Sequence, residues 1–196
     1  MRSSPGHQAN ACCYSIPMTW TDEQLDTIRQ GIEERRLTRD RSWIRALHRI
    51  EVQVIQGFSY RAHSAPDPGL TMTIDEPVDR GGTGKGPGPI AHFLTGAATC
   101  LLNQFIRVSI SRGYDLDFVG MLMRAEFRRD LGGGFEHIAC TIEATGSLPH
   151  DDAMLLVGQA EELCYVHNTL KRAVRMSTIL NVSGLVVATH ETGPGA

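Results

Sequence analysis

The segment from Ile90 to Ser111 constrains this chain most. It is apolar nearly all round and carries no Asp, Glu, Lys or Arg before Arg107. A helix with no polar face has nothing to offer water, so it belongs inside a structure with other elements packed over it. Pro89 suits the first turn of such a helix and Gly113 its end. Nowhere does an uninterrupted apolar run approach 18 residues, so the segment is expected to be a core helix and not a membrane span.

The rest of the chain supplies what could cover it. From about Arg49, Ile50, Val52 and Val54 alternate with Glu51 and Gln53, and this strand is expected to continue to Arg61 with a kink at Gly57. Ala65-Pro-Asp-Pro-Gly69 predicts a turn, and Leu70, Met72 and Ile74 the returning strand of a hairpin. A second hairpin follows the central helix. Met121, Met123, Ala125 and Phe127 face one way, Leu131-Gly-Gly-Gly134 turns the chain, and Ile138, Cys140, Ile142 and Ala144 form the matching face. Pro149-His-Asp-Asp152 puts acids at the start of a helix expected to run to about Arg172, and a final strand is expected from Ile179 to Ala188. Strands that arrive as hairpins between helices make the class α+β.

The N-terminal part is different in character. Residues 1–19 have no periodicity and read as an arm. Thr21 and Gln24 stand in capping-box spacing before a helix whose thin apolar stripe is Leu25, Ile28 and Ile32. That stripe suits the surface of the main body or a second subunit. The chain is therefore divided into residues 1–48, arm and amphipathic helix, and residues 49–196, the main domain.

Charge and cysteine usage narrow the function. With 19 Lys+Arg against 22 Asp+Glu and no basic block, the footprint of a nucleic-acid binder is missing. The N-terminus lacks the apolar core of a secretory signal, so the expected setting is reducing and cytoplasmic. A chain of 196 residues can bury a core without staples, and its 5 cysteines are an odd number, so a disulfide framework is not expected. The loop Arg80-Gly-Gly-Thr-Gly-Lys85-Gly contains Gly-Lys but lacks the glycine spacing and the following Ser or Thr of a phosphate-binding loop. Its glycines are read as permitting close packing at the entry to the buried helix.

Cys12 and Cys13 fall in the arm, and Cys140 lies on an apolar strand face where a thiol behaves as a small hydrophobe. Cys100 and Cys164 each fall within a long predicted helix, the second flanked by Glu161, Glu162, His167 and Asn168. Two cysteines on facing helices permit three readings. They are packing; or Cys164 and His167 are part of a zinc site that Cys100 and His92 would have to complete; or they are a peroxidatic and resolving pair. The last needs a guanidinium near the attacking sulfur to favour its thiolate.

The segment from Asp75 through the glycine- and proline-rich loop to Ile90-Ala-His-Phe-Leu-Thr-Gly-Ala-Ala-Thr-Cys100 resembles the loop, buried helix and helical cysteine of the OsmC/Ohr family of thiol-dependent peroxidases. Ala160-Glu-Glu-Leu-Cys164-Tyr-Val-His-Asn-Thr-Leu170 is similar to the family's second cysteine motif. The order of elements agrees from about Arg49 to Ala188. What the resemblance implies is an intertwined homodimer in which two central helices are wrapped by antiparallel sheets. Cys100 would attack an organic hydroperoxide or hydrogen peroxide, Cys164 would resolve it, and a small dithiol or a lipoyl group on a protein would restore the pair, without metal or flavin. Arg61, in the first hairpin, is the candidate for the activating arginine, with Arg80 as another. Two positions depart from the family pattern. Ile90 stands where many members carry a glutamate, and Tyr165 stands where a proline usually follows the second cysteine. His92 and Arg107 lie about two helical turns from Cys100, too far to touch its sulfur within one chain. The alternative expectation is a non-catalytic member that binds a small hydrophobic or thiol-reactive ligand in a cleft between helices.

Overall fold

The computed structural model describes residues 20–38, 49–65, 71–128 and 134–194. The arm with Cys12 and Cys13, the predicted turn at 65–69 beyond Ala65, and most of the glycine turn at 131–134 lie outside them. Helix α1 spans Asp22–Thr38, and the strands β1 Arg49–Gln56, β2 Ser59–Ala65 and β3 Thr71–Asp75 follow. Next come α2 Pro89–Ser111, β4 Leu116–Arg128 and β5 Gly134–Gly146. The chain ends with α3 Ala153–Leu163, α4 Tyr165–Leu170, β6 Arg175–Val182 and β7 Leu185–Thr192. This is an α+β architecture with two separate sheets, ordered β1-β2-β3 and β4-β5-β6-β7.

Three strand assignments differ from the sequence reading, each for a local reason. Gly57 does not kink one long strand. At φ +55° it reverses the chain, so that Gln56 pairs with Ser59 and Val52 with Ala62, and the first sheet has three strands. Likewise the last strand is two strands, joined at Ser183 (φ 51°) and Gly184 (φ 81°). Third, β5 and β6 run parallel, with Ile138 opposite Met176 and Ile142 opposite Leu180. The second sheet is thus mixed and not purely antiparallel, because α3 and α4 carry the chain back across it before β6 begins.

α2 packs against the three other helices and against both sheets, as its lack of a polar face requires. Its inward face is Ala97, Leu101, Gln104, Phe105 and Val108, of which Leu101, Phe105 and Val108 join Ile138, Ile142, Leu156, Val157 and Leu180 in one core cluster. Each fully buried aliphatic or aromatic side chain there contributes about 1.5–3 kcal/mol relative to exposure. By length and composition α2 also meets the requirement for crossing a membrane, with a mean hydropathy of 1.2 over its best window. The count of uninterrupted apolar residues missed this because Thr95, Thr99, Asn103 and Gln104 break the run without adding charge. In the fold the inward face of α2 is packed into the core, while Ile90 and Phe93 near its start are exposed.

The capping box of α1 is closed in both directions. The Thr21 N–H donates to Gln24 Oε1 at 2.9 Å and the Gln24 N–H to Thr21 Oγ1 at 3.2 Å. The helix lies on α2, with Ile32 against the core. The glycine-rich loop between β3 and α2 is gathered by one carboxylate. Asp75, fully buried, accepts the Thr83 N–H at 2.8 Å, the Thr83 hydroxyl, and the Lys85 N–H at 2.9 Å. The Thr83 hydroxyl and amide hold its pKa below the usual carboxylate range. Close packing explains the glycines, since a Cβ on Gly82 would lie 1.8 Å from the Glu76 carbonyl oxygen.

Candidate functional site

Cys100 sits midway along α2, partly buried, with its packed side against the core cluster. Cys164 is fully buried, and it is not in the middle of a helix. The predicted single helix to Arg172 is broken at this residue, whose extended φ/ψ of −82°/113° ends α3 and starts α4. A break needs its backbone groups satisfied. Here the Cys164 N–H donates to the Glu161 carbonyl at 3.2 Å, and its sulfur accepts the His167 N–H at 3.4 Å. A cysteine thus does the capping that Ser, Thr, Asp or Asn does elsewhere.

The break turns Cys164 toward α2. Its Sγ lies 3.4 Å from Cys100 Sγ, with the Cys164 S–H donating. Burial pushes the Cys164 thiol up to about 12, overriding the His167 N–H that favours a thiolate, and the Cys100 sulfur acts in the same direction as burial. Cys164 is therefore a thiol at neutral pH. An S–S bond is about 2.05 Å long, so bonding these two sulfurs requires an approach of little more than an ångström.

Behind Cys164 lies a polar cluster that the sequence only partly announces. Glu161, on the last turn of α3, is 2% exposed, and His167, on the first turn of α4, is also 2% exposed. Glu161 Oε2 hydrogen-bonds to His190 Nδ1 on β7 and lies 3.7 Å from His167 Nε2. Thr192 Oγ1, also on β7, is 3.2 Å from the same His167 nitrogen. Burial raises the Glu161 pKa, against the opposing pull of the Thr178 hydroxyl, His190 and Lys171. Burial lowers His167 to about 4, with Lys171 and His190 adding to it. The flanking Glu161 and His167 are visible in the sequence as a mixed helix face. His190 carries no such signal, because its partner is 29 residues away.

The other candidates are placed less centrally. Cys140 is buried on β5, as its strand face predicts, and burial pushes its thiol to about 12, with charge on Glu161 and Cys164 adding to the effect. Arg61 stands exposed in the middle of β2, in register with Gln53 and Thr73. Among the described residues no hydrogen bond or ion pair joins it to the cysteine pair. Arg80 is exposed in the 3-10 turn Val78–Arg80. His92 Nε2 hydrogen-bonds to the Thr73 carbonyl at 3.0 Å, tying α2 to β3, and Arg107 lines a cleft between α1 and α2. The zinc reading gains no support. Cys164 and His167 meet through a backbone N–H, and among the described residues no three His, Cys, Asp or Glu side chains converge on a metal position.

No curated protein matches the chain. Among solved structures, an OsmC-like protein from Mycoplasma pneumoniae is similar at 19% identity and a TM-score of 0.63, over 71% of this chain and 99% of that one. An organic hydroperoxide resistance protein from Legionella pneumophila is similar at 22% identity and a TM-score of 0.54, over 72% and 99%. The organic hydroperoxide resistance protein OhrB of Bacillus subtilis gives 20% and 0.50, over 70% and 98%. At such identities the likeness shows the shared fold. The family model for OsmC-like proteins matches residues 82–179, half of the 196-residue chain and a span that holds both Cys100 and Cys164. On that match the chain belongs to the OsmC-like protein family.

Proposed function

We propose that this protein is a thiol-dependent peroxidase in which Cys100 is oxidised by an organic hydroperoxide or hydrogen peroxide and Cys164 resolves it. The observation that carries this reading is the 3.4 Å contact between a partly exposed sulfur and a buried one. The difference in burial supports the order, Cys100 being half-buried and Cys164 fully buried. The Cys100 thiolate attacks the distal peroxide oxygen, the O–O bond breaks, and the alcohol or water leaves with a proton. The resulting Cys100 sulfenic acid is met by a sulfur already in place. Cys164 attacks the Cys100 sulfur, the S–O bond breaks, and hydroxide leaves as water with the proton Cys164 gives up. A small dithiol or lipoyl-bearing protein then reduces the disulfide by exchange, becoming a disulfide itself.

The same reading includes a homodimer. Ile50, Val52 and Val54 on one face of β1 are each more than half exposed, and Phe58 and Met72 add to the apolar surface of this sheet. Of its three strands it is β3 that packs against α2. A second copy covering this sheet is the occupant that the family resemblance implies, and Arg61 lies on the same sheet as the candidate guanidinium for a thiolate. Sedimentation of the full chain tests the dimer, and Arg61→Lys against Arg61→Ala tests the guanidinium through the rate of Cys100 oxidation.

Reduced protein titrated with cumene hydroperoxide should lose Cys100 and Cys164 as free thiols, and Cys100→Ser should abolish the loss. Equal, slow peroxide consumption by wild type and Cys100→Ser would sink the enzymatic reading. A second reading, a non-catalytic binder of a small hydrophobic or thiol-reactive ligand, has a place to put it in the cleft of about 570 Å³ between α1 and α2, where Trp20, Ile28 and Ile106 stand among polar residues including Glu23, Asn103 and Arg107. Native mass spectrometry showing a copurified ligand, with no peroxide consumption, would select it.

A further inference from the structure

A helix broken at its reactive residue raises the question of what holds the two pieces. The backbone ladder is interrupted at Cys164, and α4 is only 6 residues long. Three side-chain contacts span the gap. The Asn168 side-chain amide donates to the Glu162 carbonyl at 2.8 Å. Glu161, before the break, hydrogen-bonds to His190 of β7, and His167, after the break, meets Thr192 of the same strand at 3.2 Å. The Glu161 carboxylate lies 3.7 Å from the His167 ring, so both pieces are fixed to β7 through one cluster. The cluster is buried at Glu161 and His167, but the His190 side chain is 36% exposed and gives it a route to solvent protons. It is also incompletely satisfied. His167 Nδ1, Glu161 Oε1 and Thr178 Oγ1 are buried without a well-formed hydrogen bond.

From this geometry we infer that Glu161, hydrogen-bonded to His190, is a positioning residue for the resolution step: it holds Cys164 within reach of Cys100 by fixing the end of α3 to β7. The inference rests on the peroxidase reading for its biological setting, but its physical content is the movement of Cys164 Sγ from 3.4 Å to bonding distance. The groups that face Glu161 are His190 from β7, His167 and Lys171 from α4 and the residue after it, Thr178 from β6, and Cys140 from β5. Burial keeps His167 neutral near pH 7 and raises the pKa of Glu161, so the titration at issue is that of the Glu161 carboxyl. When Glu161 ionises, a buried charge is left with few compensating groups, and the attachment of α3 to β7 weakens.

The test separates two rates in the full-length protein across pH 6 to 9. One is oxidation of Cys100 by cumene hydroperoxide under single-turnover conditions, and the other is the following Cys100–Cys164 disulfide formation. Glu161→Gln keeps the shape and removes the titration. It is expected to leave the first rate unchanged and slow the second about fivefold at the acid end of the range, the net worth of about one hydrogen bond. The ratio of wild-type to variant resolution rates should fall toward one as pH rises. His190→Gln, altered at a half-exposed position, should behave alike and decides the matter if Glu161→Gln does not fold. A ratio of one at every pH, or a constant ratio, overturns the inference, the latter because a merely structural role would not titrate. Disulfide formation is measured in parallel with diamide, a diazene that two thiols reduce to the hydrazine. If wild type ignores peroxide, the peroxidase reading falls, and the diamide rates still decide the role of Glu161 by the same criteria.

Discussion

Acid should unfold this protein through His167. The side chain is 2% exposed, sits beside a buried carboxylate, and has one ring nitrogen without a partner. Burial lowers its pKa from 6.5 to about 4. Between those values the unfolded chain binds a proton at this residue and the folded chain does not. The stability that His167 contributes is therefore complete above pH 6.5 and is lost as pH falls toward 4. At 1.36 kcal/mol per pKa unit the loss amounts to about 3 kcal/mol, a large fraction of what holds a domain folded. The measurement is urea denaturation followed by far-ultraviolet circular dichroism at intervals from pH 7 to 4, on wild type and His167→Gln. The quantity to compare is the difference between the two proteins, because Glu161, with its raised pKa, drives wild-type stability the other way over part of this range. The variant should gain on wild type by about 3 kcal/mol over the interval. Parallel curves would refute the reasoning, since a neutral buried imidazole cannot titrate without moving them apart.

Other outcomes follow from the same structure. Glu161→Gln should resist alkaline conditions better than wild type, because a carboxyl whose pKa is raised by burial contributes stability at low pH that is lost as pH rises from its ordinary value of 4.5 through the raised one; thermal denaturation at pH 4.5 and 9 reads the difference. Phe105, fully buried in the C-terminal half of α2, should cost about 3–5 kcal/mol when truncated to alanine, as measured by urea denaturation. Gly82→Ala should fold poorly or not at all, since its Cβ would overlap the Glu76 carbonyl and crowd Asp75 Oδ1 at 2.7 Å, whereas Gly158→Ala, with open space around it, should fold normally; soluble yield and circular dichroism compare the two.

The parts of the fold that could be read from the chain are those where one physical requirement dominates. An uncharged stretch had to become the central helix, and the alternation in Met121–Phe127 and Ile138–Ala144 had to become paired strands with those faces on one side. Turns were missed where apolar residues flank them on both sides, as at Gly57 and at Ser183-Gly184, because periodicity runs through such a turn without a visible break. The parallel pairing of β5 with β6 depends on where α3 and α4 lie, which no local pattern states. At the candidate site the two cysteines were legible through their surroundings and through resemblance. The helix break at Cys164 was not, since Tyr165 stands where a proline would have announced it, and His190 meets Glu161 only because the second sheet brings β7 against the end of α3.

The glycine-rich segment after β3 has a mechanical consequence. Asp75 ends a strand and, ten residues later in the chain, still holds the Lys85 amide, while the Asp75 amide donates to the Pro87 carbonyl at 3.0 Å. The first sheet is therefore joined to the central helix by a welded elbow and not by a hinge. Whatever angle the sheet makes with α2 is set when the chain folds, so the exposed face of that sheet is held at a fixed attitude to the central helix, and lengthening the elbow by even one residue would change it.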